Sequence, residues 1–409
     1  MKILFFSQWF QPEPFFKGLS FVTALKERGH DVEVLTGFPN YPGGRVYDGY
    51  RIGLYKIETM SDIRVVRVAL YPSHDKSGLK RMANYGSFAL SACIFGPWLI
   101  KKPDVIYTYH PPGTIGLPAW VLKRLTGARV VYDIQDLWPD SIGETGMMSN
   151  SRILRTLDRY MRWVYRVADR IVVLSPGFKR LLVQRGVPEE KIDVVYNWCD
   201  EKALTSDGSV SALPEQIAGL SGFSLLFAGT MGHAQGLDAV LDAAKISLER
   251  GDKVTYVFVG GGIDRSRLEQ RSKDMSLTNV VWVPAQPPNL MPPIFESVSA
   301  VLVHLQDRPL FEITIPSKIQ AYLAAGKPVL AAVRGDAADL IASSKAGFAC
   351  PPEDAAAIAN AAATMSKMSQ GELEEMGQAA RKFYRENLSM DRGIDQIDTI
   401  FKEAVPVTK

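Results

Sequence analysis

Residues 223–251, FSLLFAGTMGHAQGLDAVLDAAKISLERG, decide the architecture. The apolar run from Phe223 to Ala228 stops at Gly229, and Gly232 and Gly236 punctuate the residues beyond it. From Leu237 onward, apolar residues return at three- and four-residue spacing until Gly251. A short apolar run bounded by glycine reads as a buried strand, and the later spacing as an amphipathic helix with a C-terminal glycine stop. Strand, glycine turn and helix together open a βαβ unit. Glycines let the backbone approach a phosphate, and the amides and dipole at a helix start favour negative charge there. The turn is neither G-x-G-x-x-G nor a Walker loop, which argues against NAD enzymes and P-loop ATPases.

The same alternation runs outward in both directions. Before residue 200, KILFFSQ, DVEVLTG, IRVVRVA, DVIYTYH, ARVVYDI and RIVVLSP read as strands, with KGLSFVTALKERGH as a helix between the first two. After it, KVTYVFVGGG, VVWVPA, SAVLVHL and KPVLAAV follow the opening strand. Strands separated by helical stretches predict parallel sheets, and the restart predicts two doubly wound α/β domains. We place them at residues 1–200 and 201–387, joined by the Ser-, Gly- and Asp-rich stretch 199–222, with a helix from about residue 388 to 409. In such sheets ligands bind outside the carboxyl ends of the strands, so the strand-end loops are where chemistry is sought.

Composition fits this picture. The chain has 409 residues, 46% hydrophobic and 22% charged, which excludes disordered, collagen-like and small disulfide-stapled classes. Cys93, Cys199 and Cys350 are too few and too scattered for a disulfide framework or a metal site, so a reducing cytoplasm is expected. The opening MKILFFSQWFQPEP reads as a first strand and not as a signal core. The net charge of +3 hides an asymmetry: residues 1–200 hold 27 Lys and Arg against 19 Asp and Glu. Nine of those cations lie in 149–185, against Asp158 and Asp169. A local excess of this size points to an anionic partner surface or to a solvated helix face. Residues 82–100 carry no charge and are flanked by Lys80–Arg81 and Lys101–Lys102, but Asn84, Gly86, Ser87, Ser91 and Pro97 interrupt them. A buried or membrane-leaning helix is expected there, not a span.

Two further loops carry chemistry. In EITIPSKIQAYLAAG, Pro316 starts a helix and Gly326 ends it, which puts Lys318 in the first turn. A cation there opposes the helix dipole unless an anion is bound, while Glu312 is available to hydroxyl groups. In the first half, His110 ends one strand, and Asp133, Asp136 and Asp140 follow the next, with Trp138 among them. Histidine at a strand end suits hydrogen bonding or proton handling. His30, His74 and His304 read as structural. No HExxH, cysteine cluster or Asp-x-Asp is present, so no metal is expected.

Taken together, RGHDVEVLTGFPNYPGG (28–44), YDIQDLWPDS (132–141), VVLSPGFKRLLVQRGVPEEKIDVVYNWCD (172–200), FAGTMGHAQGLDAVLDAA (227–244) and above all IPSKIQAYLAAGKPVLAAVRGDAADLI (315–341) resemble glycosyltransferase family 4. The resemblance implies the GT-B fold, two Rossmann-like domains facing across a cleft, with the C-terminal helix crossing back to the first domain. It implies retaining, metal-independent transfer from a UDP-sugar held by the second domain. The sugar would be an N-acetylated hexosamine or deoxyhexosamine, and the acceptor a polyprenyl-diphosphate-linked glycan of bacterial surface polysaccharide. No cofactor and no nucleic acid enter.

By that resemblance Gly18 approaches the donor, His110 contacts the transferred sugar, and Gly232 lies on the pyrophosphate turn with Lys318 beside the phosphates. Asp136 and Glu312 join His110 as catalytic candidates. The donor set is completed by Gly229, Thr230, His233, Gln235, Gly236, Gly261, Arg308, Ile315, Ser317 and Gln320. Trp138, Arg155, Arg159, Arg162, Trp163 and Arg166 are expected to meet the acceptor or the anionic inner-membrane surface. Two departures stand out. The family's Arg and Lys after this strand are Thr230 and Gln235, and its paired glutamates fall on Ile313 and Ala321, with Glu312 and Gln320 each one residue off. Lys318, Arg308, His233 and backbone amides are expected to share the phosphate charge instead, and Gln320 or Tyr322 to take the ribose contact. A UDP-sugar epimerase on the same fold and a non-catalytic scaffold subunit remain as alternatives.

Overall fold

The computed structural model describes residues 1–73, 78–141, 150–204 and 213–405. The chain forms two compact units, one from Met1–Val195 plus the segment from Ile394 onward, the other from Tyr196–Gly393.

Unit 1 runs β1 (Lys2–Phe6), α1 (Leu19–Glu27), β2 (Asp31–Gly37), β3 (Tyr55–Met60), β4 (Ile63–Val68), α2 (Gly78–Leu99), β5 (Val105–His110), α3 (Gly116–Thr126), β6 (Arg129–Ile134), α4 (Ser151–Val167), β7 (Arg170–Val173), α5 (Pro176–Gln184) and β8 (Ile192–Val194). Its sheet has the order β3-β4-β2-β1-β5-β6-β7-β8, parallel throughout except at β3–β4. β1 and β5 are buried almost from end to end, because helices cover both faces of a parallel sheet. β3, which the sequence pattern does not reveal, is an antiparallel edge strand of alternating exposure with too few apolar residues to stand out. The uncharged stretch 82–100 is helical as expected and buries Tyr85, Phe88, Ala89 and Ala92. No helix among the described residues is long and apolar enough to cross a membrane.

Unit 2 runs α6 (Glu215–Ala218), β9 (Phe223–Thr230), α7 (Asp238–Arg250), β10 (Val254–Gly261), α8 (Arg265–Asp274), β11 (Val280–Val283), α9 (Met291–Ser297), β12 (Ala300–His304), α10 (Pro309–Glu312), α11 (Ser317–Ala324), β13 (Val329–Ala332), α12 (Gly335–Ser344), β14 (Gly347–Cys350), α13 (Ala355–Ser366) and α14 (Gln370–Asn387). Six parallel strands take the order β11-β10-β9-β12-β13-β14, with an apolar core on each face. The strand order reverses beside β9, so the carboxyl end of β9, where the quoted glycine turn begins, is the switch point of the sheet.

The last helix, α15 (Met390–Ala404), passes from one unit to the other at Gly393/Ile394. Part of the expected linker is ordered. Cys199 is buried against Tyr384, and Glu201 accepts from the Tyr384 hydroxyl and the Met390 amide at 2.8 Å each. Residues 205–212 of that linker, His74, and the last four residues of the expected 388–409 helix lie outside the described residues.

Candidate active site

In unit 2 the ends of β9 and β10 are pressed together by glycine. Gly229, Gly260 and Gly262 have φ of 132°, 146° and 143°. A Cβ on Gly260 would collide with the Gly229 carbonyl, and one on Gly262 with the Met231 carbonyl. Backbone in that region is open to glycine alone, which is why these positions carry no side chain. The turn then closes on itself. The Gly232 amide donates to Gln235 Oε1 at 3.0 Å, and Gly236 (φ 54°) leads into α7, whose start no side chain caps.

His304, at the end of β12, braces this turn. Its Nδ1 lies 2.6 Å from the Gln235 carbonyl and its Nε2 accepts from the Glu353 amide at 3.1 Å. A carbonyl only accepts, so the proton is on Nδ1, and burial, which lowers the pKa, keeps the ring neutral.

Against this turn stands Lys318. As the second residue of α11 it sits where the helix dipole opposes a cation, and Pro316 supplies no side-chain cap. Its ammonium is shut off from solvent and has no hydrogen-bond partner. Nζ lies 3.5 Å above the Phe227 ring and 3.7 Å from the point a Cβ on Gly229 would occupy. Burial pushes its pKa down to about 7. Buried polar groups are nearly always paired, so an orphaned ammonium at a switch point has a strong chemical preference for an anion.

The other donor candidates and the catalytic candidate Glu312 divide. Thr230, Arg308, Glu312 and Ser317 are exposed, and His233 is exposed with Nδ1 3.0 Å from Asp264. Gly261 has open space on its Cβ side. Three expectations are corrected. Gln320 is buried and its amide nitrogen faces the carbonyls of Ser317 and Pro316, at 2.9 and 3.0 Å. Tyr322 is committed to the Ala228 backbone, accepting from its amide at 2.9 Å and donating to its carbonyl at 3.2 Å, so neither side chain is available to a ribose. The Ile315 side chain is packed in the core, leaving only its backbone for a ligand. Gln235 spends its side-chain oxygen on the Gly232 amide and shapes the turn from within.

Unit 1 gathers a second set at the ends of β5 and β6. His110 is fully buried, edge-on to Trp138 at 5.7 Å, with neither ring nitrogen partnered. Burial takes its pKa down to about 3, so the ring is neutral, with one nitrogen that donates and one that accepts. Asp136, raised by burial, is held by the side chains of Ser141 and Trp138. Trp138 itself is buried, which corrects its expected place at a membrane or acceptor surface. Gly18 caps α1 and is covered by the Gln11 amide, whose Oε1 accepts from the Leu19 amide at 2.6 Å.

Beneath them lies a network that the sequence pattern does not reveal. Lys17 and Asp133 form a fully buried ion pair of 2.5 Å, and Tyr107 and Gln135 also donate to Asp133. Burial lowers the Lys17 pKa against the pull of its partner. Glu13 accepts from the amides of Phe10, Asn40 and Tyr41 at 2.8–3.0 Å and is pushed up to about 7 by burial. The signal available was a lone charge in each apolar context, FFKG and VVYDI.

On α4, Arg155, Arg159 and Arg166 are exposed and Arg162 pairs with Asp158 at 2.8 Å. Trp163 is corrected. It turns inward, half-buried, onto Trp120 of α3 at 5.6 Å between ring centroids. Among the described residues no three His, Cys, Asp or Glu side chains are grouped to hold a metal ion.

Similarity to known proteins divides along the same boundary. A profile described as a glycosyl transferase 4-like domain matches residues 19–198, and one described as glycosyl transferases group 1 matches 220–383. A putative colanic acid biosynthesis glycosyl transferase, WcaI of Escherichia coli K12, is 29% identical over 340 residues, 80% of this chain and 82% of that one. A probable glycosyltransferase, WbjE of Pseudomonas aeruginosa, is 24% identical over 71% of this chain and 72% of its own. Among solved structures, Anabaena Alr3699/HepE in complex with UDP-glucose superposes with a TM-score of 0.67 at 16% identity, covering 98% of this chain and all of that one. An Escherichia coli trehalose-6-phosphate protein bound with UDP-2-fluoro glucose gives 0.74 at 14% identity, over 98% and 99% of the two chains. At these identities the likeness is one of fold.

Proposed function

The chain is a glycosyltransferase of family 4 with the GT-B fold, and from that premise we propose that it moves a sugar from a UDP-sugar to a lipid-linked or glycan acceptor in bacterial surface polysaccharide assembly. The observation that carries the donor reading is Lys318, a buried ammonium with no hydrogen-bond partner, set over the Phe227 ring beside the Gly229 turn. As the glycosidic bond breaks, negative charge gathers on the departing diphosphate. A cation and amides already aimed at that charge stabilise the transition state without rearrangement. Arg308 and His233 lie on neighbouring loops and are exposed to share it. HepE, which shares the fold, binds UDP-glucose, and this supports a uridine nucleotide as the leaving group.

No metal or cofactor is needed in this scheme. The anomeric configuration is retained when the acceptor hydroxyl attacks C1 on the face the diphosphate leaves, with the diphosphate taking the hydroxyl's proton. An N-acetylated hexosamine or deoxyhexosamine is the sugar class we favour, a polyprenyl-diphosphate glycan the acceptor, and the cytoplasmic face of the inner membrane the place. His110, neutral and unpartnered, offers a donor and an acceptor to sugar hydroxyls.

Titration calorimetry with UDP and a panel of UDP-sugars tests the donor site. Wild type should bind UDP in the micromolar range. Lys318→Met, which keeps the side chain's length and removes the buried charge, should weaken binding at least tenfold while its melting temperature holds or rises. A Lys318→Met protein that binds UDP as wild type does would remove Lys318 from the site, and wild type that binds another nucleotide in preference would change the donor class.

A further inference from the structure

The two helical layers of unit 1 differ sharply in charge. α3 packs against both α2 and α4, and right-handed crossovers put all three on one face of the sheet. Together the three helices carry nine Lys and Arg against one acid, Asp158. The opposite face is covered by α1 and the unit 1 part of α15, which hold Lys26 and Lys402 against Glu27, Asp395, Asp398 and Glu403.

The basic face is also oily. α2 has no charge from Met82 onward, yet Leu90, Ile94 and Trp98, spaced four apart on one stripe, are 61%, 50% and 87% exposed. Lys80 and Arg81 precede that stripe, and Lys101 and Lys102 follow Trp98. On α3, Leu125 is 65% exposed beside Arg124. Where α3 and α4 end, a cavity of about 460 Å³ is lined by Trp120, Lys123, Arg124, Arg129 and Arg166. Asp169 engages Lys123 and Arg129 at 2.7 and 3.0 Å, while Arg124 lies over the Trp120 ring.

We propose that this α2–α3–α4 face is a docking surface for an anionic lipid bilayer, with Leu90, Ile94 and Trp98 entering the headgroup–acyl boundary and the cavity at Trp120 and Arg124 receiving a lipid phosphate. From sequence, membrane contact is expected of the arginines of α4, and residues 82–100 read as a buried or membrane-leaning helix. The exposed stripe of Leu90, Ile94 and Trp98 makes α2 the inserting element. An amphipathic helix lying in an interface pairs an apolar stripe with cations at its margins, and a tryptophan beside lysines is the usual composition at headgroup depth. A second copy of the chain is the poorer occupant, because two faces of the same strong positive sign repel. A soluble polyanion would satisfy the arginines but leave the aliphatic stripe in water. The proposal goes beyond the sugar-transfer reading and stands whatever the donor proves to be.

Flotation of the full chain through a density gradient tests it, with vesicles of phosphatidylcholine alone or with about one third phosphatidylglycerol. Wild type should float with the anionic vesicles, not with the neutral ones, and lose binding as salt rises. The Leu90→Ser, Ile94→Ser, Trp98→Ser triple variant should bind roughly tenfold less, with UDP binding and melting temperature unchanged. Arg124→Gln with Arg166→Gln should lessen the preference for phosphatidylglycerol. The proposal fails if wild type stays at the bottom of the gradient, or if the triple variant floats as wild type does. It fails equally if light scattering shows that the triple variant breaks a dimer while flotation is unaltered. Binding of inorganic phosphate by a protein that ignores vesicles would assign the cavity to a soluble anion. Since flotation needs no nucleotide, a failed UDP titration leaves this result readable.

Discussion

Lys318 is held in a place that two separate effects make unfavourable for charge: burial, and the positive end of α11. With its pKa lowered to about 7 from 10.5, the folded protein binds fewer protons than the unfolded chain between those values. Stability attributable to this group therefore rises with pH across that window, and the penalty is complete below about 7. A bound diphosphate reverses the preference, because it favours the ammonium. UDP affinity is accordingly expected to be greatest near pH 7 and to fall by up to about tenfold per unit above it, with proton uptake on binding near pH 8. Calorimetry in two buffers of different ionisation enthalpy measures that uptake directly. Affinity that stays flat from pH 7 to 9, with no buffer dependence, would mean that Lys318 does not meet the phosphates. This residue was legible in the sequence because a lysine after Ile-Pro-Ser is out of place in a first turn. The Lys17–Asp133 pair was not, since its partners lie 116 residues apart and only the meeting of β1's loop with β6 brings them together. Gln320 and Tyr322 misled for a related reason: both are polar and near the motif, but helix α11 points them inward.

At the scale of elements, sequence patterning succeeds where burial is complete and fails where it is partial. The strands of unit 2 that flank the switch point announce themselves as apolar runs because both their faces are covered. β3, with alternating exposure, and the four-residue β14, with no buried residue, leave no such trace. The glycine turn was legible as a turn, but not the reason for its glycines, which is the approach of β10 to β9. That reason yields a prediction. Gly260→Ala forces a side chain into φ 146° and against the Gly229 carbonyl, and should destabilise unit 2 by about 1–3 kcal/mol while displacing the turn and weakening UDP binding. Gly261→Ala, one residue later, meets nothing within 4 Å and should leave the denaturation midpoint nearly in place. Chemical denaturation of the pair discriminates the two. Equal midpoints would show that the β9–β10 approach is less tight than its geometry implies.

For the whole molecule, the decisive element is the last one in the sequence. From Ile394, α15 belongs to unit 1 and buries Ile394, Ile397, Ile400 and Phe401 there, with Phe401 edge-on to Tyr107 at 5.5 Å. Its polar side is tied down as well, by Arg28 to Asp395, His30 to Asp398 and Arg170 to Glu403, each at 2.8 Å. Nothing local in residues 394–405 says which unit they complete: an amphipathic helix advertises an apolar face, not its destination, and only the family resemblance pointed back to the first domain. Four buried large apolar side chains are worth about 6–12 kcal/mol, which is of the order of a domain's entire stability of about 5–15 kcal/mol. The more exposed ion pairs, Arg28 with Asp395 and Arg170 with Glu403, add little to that sum. Deleting residues 394–409 is thus expected to abolish the cooperative unfolding of unit 1, though its strands 1–195 are all present, while unit 2 keeps its own transition and its UDP binding. Scanning calorimetry of the shortened chain, with limited trypsin digestion, reads both outcomes. Rapid loss of 1–195 beside a resistant 196–393 fragment is the expected result. Two intact transitions would mean that unit 1 folds on the contacts within residues 1–195 alone, and that α15 covers a surface it does not hold together.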